Sequence, residues 1–392
     1  MPEHCPSTSQ NSTKEFSCIL AATVLAFMAF YCPQPLLASF AQEQGISQTA
    51  ASLLMTVVIF PFAFAPLFYG ALLRRLSVNR LLFLSTAGAG AALFLAGLSP
   101  SYPLMLAART VQGFLLPAIL LCLTTSLSGM WSGRELQSRM AIYAIMTLLG
   151  GYGGRIVAGI VCTHTSPSTT LQIFGLFQLA ALLPAHFISR RESSGVHGFT
   201  LRDIVLFVTH ENTRTVLFIG PLCTLAYAAV LNFLPFHMHS IDTGISEMFI
   251  GFVYVAGIVG AVFVMLTTKI VARADNVFVL LLLVMLAFTA SLFLFLVESI
   301  VFAVTAMMIT SILFSLIYSN CPGIVNRASP FDGGVTNSMY LSIYYLFTAA
   351  GSMFPIMLYS RSGIGPFVLL LAGISIVNIA LIIVAGRKTK LG

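Results

Sequence analysis

The chain has 392 residues, of which 58% are hydrophobic and only 8% are charged, and its mean hydropathy is +0.96. These values exclude a water-soluble globular protein and indicate a membrane protein. The net charge of +7 does not indicate a nucleic-acid partner, because the basic residues are spread singly through short loops rather than gathered on one face with aromatic side chains. The seven cysteines show no C-x-x-C spacing, so neither a metal ion nor another cofactor is predicted.

Stretches of about 20 apolar residues, separated by Gly, Pro, Ser and charged residues, predict an all-α membrane protein with twelve transmembrane helices. We number these predicted helices spans 1 to 12; they cover residues 17–39, 48–72, 80–98, 103–127, 140–162, 169–188, 213–236, 247–268, 277–297, 301–321, 334–358 and 365–385. Prolines or glycines interrupt the patterns of spans 7, 8 and 10. The polar N-terminus lacks the basic start and cleavage site of a signal peptide, which predicts that span 1 is retained.

The positions of Lys and Arg predict the orientation of the chain, because cytoplasmic loops of helical membrane proteins are enriched in these residues. If the N-terminus lies in the cytoplasm, all but three of the 19 Lys and Arg residues lie on the cytoplasmic side. The exceptions are Arg361, on the outer side, and Arg109 and Arg155, inside spans. The even number of spans then places the C-terminus in the cytoplasm as well.

The longest internal polar stretch, SRRESSGVHGFTLRD, follows span 6 and divides the chain near its middle. We predict an N-terminal bundle of residues 1–188, a cytoplasmic linker of residues 189–212 with a short amphipathic helix, and a C-terminal bundle of residues 213–392. The halves repeat one plan, since Gly-Ile-Ser precedes span 2 at residues 45–47 and span 8 at residues 244–246. An alternating-access transporter needs two such halves, because its binding site lies between halves that rock about it.

The sequence ARTVQGF in span 4 resembles a known family signature. It matches the R-x-x-Q-G pattern of the major facilitator superfamily at Arg109, Gln112 and Gly113. Over essentially its whole length the chain resembles this superfamily of secondary transporters. The resemblance implies two pseudo-symmetric six-helix bundles and a monomeric protein.

Span 5 contains the sequence GGYGGRIVAG, which is similar to the G-x-x-x-G-P-x-x-G-G motif of the efflux branch of the superfamily. Gly150, Gly154 and Gly159 match the motif, whereas Arg155 replaces its proline. Gly150 and Gly154 form a G-x-x-x-G pair that permits close helix packing, and we expect the packing partner to be span 8, which has glycines of its own. The glycines are therefore interpreted as a packing surface or hinge, with direct substrate contact as the alternative.

The loop after span 2, GALLRRLSVNRLL, occupies the place of the superfamily motif G-x-L-a-D-R-x-G-R-K-x-x-L. Gly70 and Arg75 match it, but Arg74 stands where the family has an aspartate. In the family that aspartate is thought to engage the N-terminal end of span 11, whose positive helix dipole would repel Arg74. Asp332, just before span 11, could supply the missing negative charge to Arg74 or Arg75; the alternative is a solvated loop carboxylate.

Arg109 and Arg155 lie inside spans 4 and 5, whereas no Asp or Glu lies near the middle of a predicted span. An uncompensated Arg in a membrane costs about 2.5 to 3.5 kcal/mol, so both should face an aqueous cavity or a bound anion. For Arg109 a gating or coupling role is favoured over ligand contact, and the alternative is hydrogen bonding to helix carbonyls. For Arg155, contact with an anionic substrate and snorkelling to the outer interface both stay open.

Polar side chains in other spans complete the candidate binding site, because a polar group that faces lipid is disfavoured. The strongest candidates besides the two arginines are Gln34, Asn232 and Tyr344, and weaker candidates are Gln112, Tyr31 and Tyr227. A tyrosine near the end of a span can instead be an interface anchor, and an asparagine can instead hold two helices together.

The sequence thus predicts a secondary transporter of a small organic solute across the inner (cytoplasmic) membrane. Similarity to the efflux branch implies export, and the buried arginines suggest an anionic metabolite; the alternative is a proton-coupled exporter of neutral or cationic drugs. Proton coupling usually relies on a carboxylate within a span, which the predicted spans lack, so protons stay an open possibility. An enzyme is disfavoured because no catalytic set of side chains converges inside the spans, and a non-transporting receptor is a distant alternative.

Overall fold

The structure, a computed structural model, describes residues 6–65, 69, 76–188, 201–271 and 276–388, and these form helices joined by short turns. Among the described residues, eleven helical segments are long and apolar enough to cross a membrane, and a twelfth apolar segment is shorter. In chain order the segments are Ser12–Glu43, Gln48–Ala63, Val78–Leu98, Tyr102–Met130, Gly133–His164, Pro167–His186, Glu211–Ile241, Glu247–Thr267, Val277–Leu296, Ile300–Ala328, Gly333–Ser362 and Ile364–Lys388. Each predicted span overlaps one observed segment, so the predicted all-α membrane fold is confirmed.

Span 1 is broken where its sequence contains two prolines. Its first α-helix ends at Tyr31, and the 3₁₀ turn Gln34–Leu36 and the helix Leu37–Glu43 complete the span. Pro33 has no backbone N–H, so the helix cannot continue its hydrogen bonds through it. By contrast, the helix of span 10 continues through Pro322, where the sequence indicated an interruption.

The amphipathic helix predicted in the linker is observed as Leu201–Thr209, and a short helix, Glu211–Val216, leads into span 7. Residues 189–200 lie outside the described residues. The division of the chain near residues 188 and 213 therefore stays a prediction.

The repeated Gly-Ile-Ser sequences begin corresponding helices in the two halves. Ser47 Oγ accepts a hydrogen bond from the backbone N–H of Ala50 at 3.1 Å, and Ser246 Oγ accepts one from the N–H of Phe249 at 3.3 Å. Each serine thus satisfies one of the free N–H groups in the first turn of its helix. The same sequence produces the same local structure in both six-helix bundles.

The glycines of span 5 pack against two different neighbours. Cβ atoms on Gly150 and Gly154 would lie 2.7 Å and 2.6 Å from backbone atoms of span 1, so this pair packs on span 1, and the prediction of span 8 is wrong. Gly159 makes the contact with span 8 instead, since a Cβ there would overlap the carbonyl oxygen of Glu247. At 3.6 residues per turn, Gly159 lies about 140° around the helix from Gly154 and so faces a different neighbour.

We call the side of the bundle with Pro6, Lys388 and the helix Leu201–Thr209 the terminal side, and the side away from them the opposite side. The two halves meet on the opposite side. There Ser39 Oγ donates a hydrogen bond to Glu247 Oε1 at 2.6 Å. The hydroxyls of Thr49 and Ser360 lie 2.9 Å apart. These contacts join spans 1 and 2 of the first half to spans 8 and 11 of the second, so they close the opposite side.

Candidate functional site

A cavity of about 430 Å³ lies between the two halves. Spans 1, 2 and 5 of the first half and spans 7, 8, 10 and 11 of the second contribute its lining, and Arg155 is the only charged residue among the described lining residues. From the level of Arg155 the lining extends along spans 5 and 8 toward the terminal side, to Ala144 and Met265. Within the described ranges, no group of three or more His, Cys, Asp or Glu residues is placed to hold a metal ion.

Arg155 is held in the cavity wall by aromatic rings and one amide. Its guanidinium carbon lies 4.1 Å from the ring centroid of Tyr31, 4.9 Å from that of Tyr152 and 5.3 Å from that of Tyr254. Its Nε donates to Gln34 Oε1 at 2.6 Å, and the residue is only 3% exposed. Cation–π attraction stabilises a desolvated guanidinium. In the described part of the chain its two terminal amino groups have no hydrogen-bond acceptor, so both are free to bind a ligand.

A chain of buried hydrogen bonds connects Arg155 to the second half of the protein. Because the Arg155 Nε–H can only donate, Gln34 presents its oxygen to Arg155 and its Nε2 to the other side. Gln34 Nε2 donates to Asn232 Oδ1 at 2.5 Å, and Asn232 Nδ2 donates to the Ser352 carbonyl at 3.0 Å. Gln34 and Asn232 are 3% and 0% exposed. The chain thus crosses from spans 5 and 1 to spans 7 and 11, and it brings together three residues that the sequence singled out.

Arg109 lies outside the cavity, although the sequence placed it among the candidate binding residues. It is fully buried, and its Nε and Nη2 each donate to the Leu54 carbonyl at 3.2 Å. Its Nη2 also donates to the Phe30 carbonyl at 3.3 Å, and its Nη1 donates to Gln112 Oε1. Neither Arg109 nor Gln112 lines the cavity in this structure, and the contacts of Arg109 are the hydrogen bonds to helix carbonyls that the alternative described. Ligand contact by either residue stays a prediction.

The break in span 1 explains why the side chains of Arg109 and Gln112 donate hydrogen bonds to backbone carbonyls. Carbonyls in the last turn of a helix have no partner within the helix, and the carbonyl of Ala29 would need the N–H that Pro33 lacks. Gln112 Nε2 donates to this carbonyl at 3.4 Å, and Arg109 donates to the carbonyl of Phe30. The pair stabilises the end of the helix that positions Gln34. A gating or coupling role for Arg109 stays a prediction.

The predicted tyrosines Tyr31, Tyr227 and Tyr344 all line the cavity. The ring of Tyr227 stacks on Phe314 with centroids 4.0 Å apart, and its hydroxyl lies 3.0 Å from Ser311 Oγ. These two contacts fix the position of the Tyr227 ring in the cavity wall.

Sequence reasoning missed Tyr254 and Ser352. Tyr254 donates its hydroxyl to the Leu231 carbonyl at 2.6 Å, and this bond fixes its ring beside Arg155. Tyr254 is the only tyrosine within span 8, and that isolated polar group was a usable signal. Ser352 contributes a backbone carbonyl, which no feature of the sequence could mark.

The remaining gating candidates lie away from the cavity or outside the described residues. A Cβ on Gly113 would lie 2.6 Å from the Val57 carbonyl oxygen, so Gly113 lets span 4 approach span 2. Asp332 is exposed and directly precedes the helix of span 11. The predicted partners Gly70, Arg74 and Arg75 lie outside the described residues, and the proposed charge exchange with Asp332 stays a prediction.

Comparison with known proteins establishes the family. Residues 19–352 match the family model described as Major Facilitator Superfamily, and the chain belongs to this superfamily. It is similar to an uncharacterized MFS-type transporter, YybF of Bacillus subtilis (strain 168), with 26% identity over 257 residues. The match covers 61% of this chain and 61% of YybF, which is less than two thirds of that protein.

Solved structures share the fold. The nucleoside transporter NupG matches with a TM-score of 0.75 at 12% identity, over 94% of this chain and 98% of that chain. A bacterial homologue of the human lysosomal transporter Spinster, in an inward-facing and unoccupied conformation, matches with a TM-score of 0.72 at 12% identity, over 98% and 96%. The human organic anion transporter MFSD10 matches with a TM-score of 0.66 at 16% identity, over 94% and 99%. At such identities the likeness shows the fold alone, which is that of a multi-pass membrane protein of the superfamily.

Proposed function

We propose that the cavity binds a small organic solute with a negatively charged group and that the protein exports this solute across the inner membrane by alternating access. The observation that carries the proposal is the environment of Arg155, a buried guanidinium with two free amino groups and no acidic residue among the described lining residues. A buried charge without a counter-ion is costly, and a bound anion removes that cost. Two neighbouring N–H donors suit a carboxylate, sulfate or phosphate group.

A cationic drug is the poorer candidate for this cavity. A cation near Arg155 would meet like charge, and no described lining carboxylate would compensate it. Tyrosine rings can bind cations through their faces. The rings of Tyr31 and Tyr152 already face the Arg155 guanidinium, however, and the other lining rings, such as those of Tyr227 and Tyr344, share the cavity with that positive charge.

The hydrogen-bond chain supports alternating access at this site. Opening of the opposite side must separate Gln34 in the first half from Asn232 in the second. Gln34 also holds Arg155, so an anion on Arg155 acts on the same polar network that joins the halves. Ligand binding and closure of the opposite side are thereby coupled through Gln34.

Export, with the terminal side in the cytoplasm, is proposed from the similarity of span 5 to the efflux branch and from the distribution of Lys and Arg. The described cavity lining offers no carboxylate for proton coupling, and arginine keeps its proton at physiological pH. A coupling proton would therefore bind outside the cavity. Glu247 is the candidate, because its carboxylate accepts a hydrogen bond from Ser39 across the two halves and lies 3.6 Å from His239, so a proton on it would weaken the contacts that close the opposite side.

The test is a comparison of wild-type protein with Arg155→Gln. A thermal-shift screen of anionic, neutral and cationic solutes first finds a stabilising ligand, because a ligand that binds the folded state raises its stability by mass action. Removal of a charge-assisted hydrogen bond costs about 1.5 to 3 kcal/mol, so Arg155→Gln should weaken binding of the anion about 10- to 150-fold. Binding of an uncharged amide analogue of the same ligand should not change.

Arg139→Gln is the matched control. The Arg139 guanidinium also lies over aromatic rings, at 4.8 Å from the centroid of Phe16 and 5.0 Å from that of Trp131, but Arg139 does not line the cavity. This variant should bind the anion as the wild type does, and flux of the ligand into proteoliposomes should follow the same pattern. Unchanged anion affinity in Arg155→Gln, or an equal loss in Arg139→Gln, would show that Arg155 is not the anion site.

A further inference from the structure

We infer that the solute is an anionic amphiphile with one alkyl chain, whose charged head binds Arg155 and whose chain lies along an aliphatic wall formed by spans 5 and 8. The inference rests on the proposed function and adds to it the chemistry of the rest of the ligand. We define the aliphatic wall as Leu148, Leu149, Ile258, Val262 and Met265, all of which line the cavity.

The cavity has two chemically different sides below the level of Arg155. Spans 7, 10 and 11 supply hydroxyl groups, among them those of Thr224, Ser315, Tyr318 and Thr348. The aliphatic wall faces the cavity from spans 5 and 8 without a charged group. Contact with such a wall would not stabilise a small hydrophilic solute. An alkyl chain would be stabilised there, because the transfer of apolar surface from water to an apolar environment is favourable.

The wall begins at the anion site and follows the helix axes away from it. Leu148 precedes Arg155 by seven residues, which is about two turns and roughly 10 Å along the same face of span 5. On span 8, Ile258, Val262 and Met265 are spaced four and three residues apart and so lie on one face. An alkyl chain that starts at Arg155 can therefore run along both helices toward the terminal side.

Spans 5 and 8 are closely packed beside Arg155 and leave their side chains uncovered farther along. Next to Arg155 the Tyr152 ring occupies the space beside Gly257, where a Cβ would overlap the ring. Farther toward the terminal side, Leu148, Val262 and Met265 are 37%, 48% and 59% exposed. All three line the cavity, so the part of their exposed surface that faces it can contact an apolar ligand.

Charge and shape together select one kind of occupant. The positive charge lies at one end of the cavity, on Arg155, and the aliphatic surface lies along its length. A second protein helix would not place a negative charge beside Arg155. A small anion would bind Arg155 but would leave the aliphatic wall without a contact. An anionic head on a single alkyl chain satisfies both features.

The experiment measures binding of linear alkyl carboxylates of increasing chain length to the purified protein in nonionic detergent. Burial of one methylene contributes enough free energy to tighten binding by up to about fourfold, so affinity should rise steeply with chain length. Alkyl trimethylammonium ions of the same lengths test the head group and should bind much more weakly. Partitioning into micelles is the same for every protein variant, so ratios between variants report the cavity alone.

Met265→Gln tests the wall, and its neighbour Leu266 offers the matched control. Leu266 is 75% exposed but does not line the cavity. Met265→Gln should weaken binding of long-chain carboxylates about tenfold, the effect of roughly two methylenes, and should leave acetate unchanged. Leu266→Gln should leave both unchanged. If Met265→Gln does not fold, the nearly isosteric Val262→Thr tests the same wall.

A ratio of wild-type to Met265→Gln affinity that does not grow with chain length, or equal effects of Met265→Gln and Leu266→Gln, would overturn the inference. Equal binding of the trimethylammonium series would overturn the assignment of the head group to Arg155. The proposed function fails separately: it is refuted if Arg155→Gln leaves anion binding unchanged at every chain length. Loss of short-anion binding in Arg155→Gln without any dependence on chain length would leave the proposed function standing and remove the amphiphile.

Discussion

Asn232 offers a direct way to shift the protein between its closed and open forms on the opposite side. Asn232→Ala removes two hydrogen bonds, one to Gln34 in the other half and one to the Ser352 carbonyl in the same half. The bond within the half is lost whether the opposite side is closed or open, so it cancels in the equilibrium between the two forms. The bond to Gln34 exists only when the opposite side is closed.

The expected shift follows from the burial of Gln34. In the closed form Gln34 is 3% exposed, so Asn232→Ala leaves its Nε2 buried without an acceptor, at a cost of about 1 to 3 kcal/mol. In the open form water can bind that group, and the cost disappears. The ratio of closed to open protein should therefore fall about 5- to 150-fold.

Spin labels on exposed residues of the two halves would report this ratio. Gln42 and Thr243 are suitable positions, because both are exposed near the ends of spans 1 and 7 on the opposite side. The distance distribution between the labels should gain a longer component in Asn232→Ala.

Asn378→Ala is the matched control for this substitution. Asn378 is also fully buried in the second half, where its Nδ2 donates to the Ile219 carbonyl at 2.9 Å. It makes no described contact with the first half, so this variant should lose stability without any change in the label distances. A wild-type distribution in Asn232→Ala, or the same shift in Asn378→Ala, would refute the reasoning.

Two further predictions concern helix packing. Gly159→Val should hold the opposite side open and abolish transport, because its side chain would overlap the Glu247 carbonyl; Gly153→Val, whose Cβ would meet no atom within 4 Å, should transport normally. Arg109→Gln should lower the melting temperature of the purified protein, since helix carbonyls lose charged donors worth about 1.5 to 3 kcal/mol each, while the preference for anions persists. In Arg155→Gln that preference should be lost, and equal loss in both variants would contradict the separation of their roles.

Much of the fold could be predicted because the membrane simplifies the physical problem. Apolar stretches of about 20 residues separate clearly from polar loops, and this contrast produced all twelve spans. The Gly-Ile-Ser repeat identified corresponding helix starts, because a serine N-cap acts through atoms only three residues away. Features of this kind depend on neighbouring residues and on the membrane environment, so they can be predicted without knowing which distant residues are in contact.

The packing partner of the span 5 glycines could not be predicted in the same way. The G-x-x-x-G spacing shows that one face of the helix admits a close neighbour. It does not identify the helix that packs against that face, because span 1 and span 8 both contain small residues. The structure places span 1 at Gly150 and Gly154 and span 8 at Gly159.

The sequence by itself determined the membrane fold and the small set of polar residues that cannot face lipid, including Gln34, Arg155 and Asn232. Only the tertiary structure decided which of them meet. Gln34 and Asn232 are 198 residues apart in the chain and 2.5 Å apart in the protein. The two arginines looked alike in sequence, but the broken end of span 1 gives Arg109 backbone carbonyls to bind, whereas among the described residues Arg155 contacts one amide and aromatic rings. The hydrogen-bond acceptors available to a buried arginine depend on which helices pack beside it, and those helices belong to distant parts of the chain.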